Sequence, residues 1–149
     1  MDAYIVIGAQ HSYKSSVLRS LSGSRISGVR PYVIFPRTVQ DVYVRLSSLQ
    51  EGKGIQPSDF VAFVSTTSAT AALFALRSNG IGAFPDADSY AGYFVGAGWT
   101  IRRVAVLNSA TNPFSMVLTP GCVNSFPLGP APIAVNEVAN DVRTHFNWR

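Results

Sequence analysis

The chain has 149 residues, 47% of them apolar and 13% charged, and its formal net charge is +4. That size and apolar content suit a single domain spanning 1–149 and exclude a disordered chain. Arg, Asp, Asn or Gly-Pro punctuation breaks every apolar run short of a membrane span, Asp2 stands where a secretory leader would be basic, and the lone cysteine, Cys122, excludes an internal disulfide.

In chain order, AYIVIGA (3–9) is a continuous, β-branched apolar run that reads as a buried central strand. SSVLRSLSG follows and puts Val17, Leu18 and Leu21 on one helical face, with Gly23 as the stop. Residues 23–31 read as loop. YVIFP (32–36) and VYVRL (42–46) read as two strands, and the short connection containing Pro36 and Asp41 makes them an antiparallel pair. EGKG (51–54) breaks the chain, and Pro57, Ser58 and Asp59 open a helix over 57–66. TAALFALRS (70–78) reads as a buried strand ending at Arg77; the alternative is a strand at 60–65 and one alanine-rich helix over 66–77. Pro85 and the acidic residues after it start a helix over 85–99, and a strand over 101–109 follows. GPAP (129–132) marks a boundary before an amphipathic C-terminal helix bearing Ile133, Val135, Val138 and Val142. About five strands interleaved with four helices imply an α/β fold: a three-layer α/β/α sandwich on a mostly parallel sheet with one antiparallel strand.

The charge is uneven. Residues 1–50 carry six bases (Lys14, Arg19, Arg25, Arg30, Arg37, Arg45) against two acids (Asp2, Asp41), whereas 51–149 balance six against six. A positive N-terminal third suits phosphate handling, or a solvated basic face.

Between the first strand and the first helix lies GAQHSYKS, which places Gly8, Lys14 and Ser15 at the spacing G-x-x-x-x-[G]-K-[ST], with Tyr13 at the second glycine position. Such a loop can turn backbone N–H groups and a helix N-terminus onto an anion, while a lysine neutralises phosphate oxygens. The segment resembles the Walker A loop of P-loop nucleoside triphosphate-binding proteins, in degenerate form, and the element order is similar to the small GTPase-like arrangement of that superfamily. The resemblance implies a P-loop NTPase-like fold and binding of ATP, GTP or another phosphorylated ligand. The cradle would run through Gly8, Ala9, Gln10, His11, Ser12, Tyr13, Lys14 and Ser15, with Ser15 the ligand for Mg2+. LSSLQE (46–51) resembles the D-x-x-G-Q-E segment of GTPases at Gln50 and Glu51, with Leu46 in place of the aspartate, so Gln50 or Glu51 would position a hydrolytic water. Asn108 in VLNSATN matches one position of the base-reading N-K-x-D motif. Asp41 and Asp59 are further acids, and neither ends a strand on this reading. The resemblance implies at most a weak nucleoside triphosphatase, and the single cysteine and the acidic start suggest the reducing cytoplasm.

Two other classes stay open: a non-catalytic module of this fold serving protein interaction or assembly, and a nucleic-acid-binding accessory protein. The latter draws on ten arginines against two lysines and on aromatics interleaved with bases in VRPYVIFPR (29–37). With Cys122, His11 and His145 alone, no zinc site is expected, and Cys122 itself reads as buried packing. Gly92 and Gly96 read as a close helix-packing pair, and Trp99 and Trp148 as core or edge anchors.

Overall fold

The computed structural model describes residues 1–34, 38–109, 111–129 and 134–148. In chain order it contains β1 (Asp2–Gly8), α1 (Lys14–Ser22), β2 (Gly28–Ile34), β3 (Thr38–Ser48), α2 (Pro57–Ser65), β4 (Ala71–Arg77), α3 (Ala87–Gly96), β5 (Thr100–Leu107), β6 (Val123–Phe126) and α4 (Val135–His145). The strands form one six-stranded sheet in the order β2-β3-β4-β1-β5-β6. Only β2 runs antiparallel to its neighbour β3.

The two central strands, β1 and β4, are apolar from Ala3 to Ile7 and from Ala71 to Leu76 because both of their faces are covered. Alternation along β1 divides the core in two. Ala3, Ile5 and Ile7 pack with Phe60 and Val64 of α2 and with Tyr90 and Phe94 of α3. Tyr4 and Val6 point the other way, onto Val17, Leu18 and Leu21 of α1 and Ala139 and Val142 of α4. Trp99 stacks on Phe94 with ring centroids 5.1 Å apart, and Trp148 lies edge-on to Tyr4 at 4.9 Å, so both tryptophans are core anchors.

Helix starts follow local chemistry. Pro57 opens α2, and the Asp86 carboxylate caps α3 by accepting from the Ser89 N–H at 2.9 Å. The helices expected over 85–99 and up to 148 are shorter, ending at Gly96 and His145. Strand β4 settles the ambiguity over 66–77 in favour of a strand.

Three expectations need correction. The stretch 23–31 is not all loop: β2 begins at Gly28 and runs through Pro31. A proline is tolerated there because β2 is an edge strand, where a missing N–H costs no ladder bond. The sheet has six strands rather than about five, because VNSF forms the short edge strand β6 beside β5. Gly92 and Gly96 are not a tight packing pair: a Cβ on Gly92 would come no nearer than 3.9 Å to Met116, and one on Gly96 would meet open space. Phe35–Arg37 and residues 130–133, which include part of the expected second strand and Ile133, lie outside the described residues. Among the described residues no helix is long and apolar enough to cross a membrane.

The topology sets the place of the site. Chain leaving β1 goes through α1 to the β2–β3 side, whereas chain leaving its neighbour β4 goes through α3 to β5 on the other side and over the opposite face. Diverging connections leave a crevice beyond the carboxyl ends of those two strands, where ligands of open α/β sheets bind.

Candidate functional site

A cleft of about 730 Å³ occupies that crevice. One wall is the β1–α1 loop from Gln10 onward with the first turn of α1; the others are residues 50–52 after β3 and the segment from Arg77 to Phe84 after β4. Glycine at position 8 is required by space: a Cβ there would run into the Ser12 hydroxyl, which turns back beneath the loop. Ser12 Oγ donates to the Ala9 carbonyl at 2.8 Å and accepts from Lys14 Nζ at 3.4 Å.

Lys14, the first residue of α1, is only 4% exposed. Its ammonium donates to the Ala9 carbonyl at 2.6 Å and pairs with Glu51 Oε1 at 3.4 Å. Burying an ammonium is costly unless it is paired and hydrogen-bonded, and these contacts meet that requirement. Burial pushes the Lys14 pKa below the ordinary lysine range, the Glu51 carboxylate pulls it back up, and the Arg77 charge pushes it down again.

The loop backbone at Tyr13 adopts a conformation that glycine would favour. Tyr13 sits at the N-cap of α1 with φ 58° and ψ 16°, and His11 has φ 59°. This left-handed region is one that glycine enters without penalty and a side chain resists. Tyr13 is 47% exposed and lines the cleft. No side chain caps α1. The N–H groups of Tyr13, Lys14, Ser15 and Ser16 donate to no backbone acceptor among the described residues, as expected for the first turn of a helix.

Ser15 and Glu51 line the same cleft as Lys14, and Glu51 is the acid that the tertiary fold brings to the lysine, although it follows β3, two strands away from β1. Gln50 has a different position. Its amide oxygen accepts from Ser48 Oγ at 2.9 Å and from the Arg77 N–H at 2.9 Å, while its amide nitrogen donates to the Arg77 and Pro85 carbonyls at 3.1 and 3.2 Å. Those four bonds use the full capacity of a primary amide. Gln50 is therefore a buried strut joining β3, β4 and the approach to α3, with no polar atom left over for a water.

The remaining sequence candidates separate from Lys14. Asn108, at φ 56°, lies beyond β5 in a neighbouring cleft of about 400 Å³ on the far side of the loop, which it shares with Ala9 to Tyr13. Asp41 belongs to the opposite end of the sheet, where its carbonyl accepts from Thr70 N just before β4. Asp59 is in the first turn of α2 and lines a separate depression with Phe63. In the basic-aromatic stretch 29–37, Tyr32 stacks on Trp148 at 4.8 Å and its hydroxyl donates to the Ser22 carbonyl, so its ring is already engaged within the fold. Cys122 is buried with its thiol on the Ile101 carbonyl, and burial pushes the thiol pKa up. No cluster of three potential metal-binding His, Cys, Asp or Glu side chains occurs among the described residues.

Arg77 entered the sequence reading only as the end of a buried strand. The signal was present: a wholly apolar strand ending in arginine, followed by the turn NGIG. Arg77 stands directly beside Gly8 in the β1–β4 register and lines the cleft. Comparison with known proteins adds no relative: no family model, no curated protein and no solved structure matches this chain.

Proposed function

We propose that the cleft at the β1–α1 loop binds a phosphorylated ligand, most simply a nucleoside triphosphate such as ATP or GTP. The observation that carries this reading is the convergence, at one crevice, of α1's uncapped first turn with the buried Lys14 ammonium. Helix dipole, orphan amides and a fixed cation all favour an anion. An incoming phosphate oxygen would take the place of the Glu51 carboxylate as acceptor for Lys14, one anionic oxygen replacing another. Mg2+ takes oxygen ligands and completes its shell with waters and phosphate oxygens. Ser15 Oγ and the Glu51 carboxylate are donors of that type on the cleft wall, and would hold the ion against the bound phosphates.

The reading is one of binding rather than turnover. Gln50 is committed to backbone groups, which leaves Glu51 as the only one of the two expected water-positioning residues with an available polar atom. Calorimetric titration with ATP, GTP and their diphosphates, with and without Mg2+, tests the proposal. Saturable binding that Lys14→Ala abolishes supports it, and no heat with any of the four refutes it.

One observation favours a second reading. The three donor positions of Lys14 are already met by Ala9, Ser12 and Glu51. On that reading the loop is a structural knot in a non-catalytic module for interaction or assembly. Lys14→Ala would then lower stability without altering any response to nucleotide.

A further inference from the structure

Resting on the phosphate-site reading, the strongest unassigned feature of the cleft is the Arg77 side chain. Gln50 bonds to both the N–H and the carbonyl of Arg77, so the backbone from which the guanidinium springs is held rigidly at the end of β4. The register places that backbone against Gly8, the residue from which the β1–α1 loop departs. The guanidinium itself is poorly satisfied. Nη2 reaches Gln10 Oε1 only at 3.5 Å, and Nε is shut off from solvent without any acceptor. Arg30 and Arg45 also carry an orphan Nε, but neither lines this cleft.

Charge points the same way. Lys14 and Arg77 face one cleft and repel, as the effect of Arg77 on the lysine shows, and Glu51 is the one carboxylate lining it. Lys14 opens α1 and Arg77 ends β4, so the two cations reach the cleft from different elements. A chain of phosphoryl groups can bridge them, and the planar guanidinium fork fits two oxygens of such a chain. We propose that Arg77 is the second phosphate-binding cation of the cleft, and that the site thereby selects ligands with two or more linked phosphoryl groups over a single phosphate.

The test uses the intact chain and three inorganic probes: orthophosphate, pyrophosphate and tripolyphosphate. Their dissociation constants are measured calorimetrically for the unsubstituted protein and for Arg77→Gln, Arg77→Lys and Lys14→Ala, with circular dichroism to verify folding. The unsubstituted protein should prefer tripolyphosphate to orthophosphate by about ten-fold or more, the worth of a charge-assisted contact. Arg77→Gln should erase most of that preference, weakening tripolyphosphate far more than orthophosphate, and Arg77→Lys, which keeps the charge but loses the fork, should fall between. If Arg77→Gln fails to fold, the Arg77→Lys comparison decides alone. Undiminished preference in the substituted proteins, or an equal loss for all three probes, overturns the assignment while leaving the phosphate site standing. Failure of the unsubstituted protein to bind any probe, with nucleotides equally inert, overturns both.

Discussion

Replacing Tyr13 by glycine and, separately, by alanine isolates the backbone term at the junction of β1 and α1. Both changes delete the same ring, which is half exposed, so whatever the ring contributes cancels in the comparison. What differs is the response to φ 58°. A residue with a Cβ pays about 1–2 kcal/mol to sit in the left-handed region, and glycine does not. Glycine gives back about 0.4–1 kcal/mol through its freer unfolded chain. The balance favours Tyr13→Gly over Tyr13→Ala by about 0.5–1 kcal/mol, a melting-temperature difference of about 2–3 °C for a chain of this size. An internal control sits in the same helix: at the exposed Arg19, alanine should beat glycine by about 1 kcal/mol, the ordinary helical order. Urea denaturation of the four variants measures both differences. Alanine equal to or better than glycine at position 13 would mean that the loop does not hold the left-handed turn, and the proposed anion cradle built on it would go with it.

Substituting Gln50 by Leu removes four hydrogen bonds to buried or half-buried partners and should cost about 3 kcal/mol or more in denaturant unfolding. A loss under 1 kcal/mol would return Gln50 to the pool of free, water-facing side chains. Burial pushes the Tyr90 hydroxyl up to about 12, and it donates to the Ile55 carbonyl at 2.6 Å. The folded state therefore keeps this proton after the unfolded state has lost its own. The resulting stability is complete below pH 10 and is lost as pH rises from 10 toward 12, on the order of 2–3 kcal/mol, so the unsubstituted protein should fall faster over that window than Tyr90→Phe. His145 shows the reverse sign. Burial holds its pKa below 6.5, so the unfolded chain takes up the proton first and stability should decline as pH falls through 6.5; His145→Gln should flatten that limb of the stability curve. Buried and with its pKa raised, Cys122 should resist a thiol reagent in native buffer and react fully in 6 M guanidinium; rapid native labelling would contradict its burial.

Much was decided by local sequence alone. AYIVIGA and AALFAL are apolar without interruption, so they had to lie where both faces of a sheet are covered, and the loop after the first of them had to open over a strand end. Pro57 and Asp86 act within their own helical turns, which is why those starts were legible to within a residue or two. The first half of β2, Gly28 to Pro31, and the whole of β6 escaped notice because edge strands are half solvated and such polar or proline-containing sequences resemble loops until a neighbour pairs with them. The site divides along the same line. Gly8, Lys14 and Ser15 are joined by spacing within one loop and could be named from the chain, whereas nothing between residues 14, 51 and 77 links them in sequence. That Glu51 reaches the lysine, that Gln50 is consumed as a strut, and that Arg77 stands beside Gly8 follow from sheet order and register, which long-range pairing fixes and no local pattern encodes.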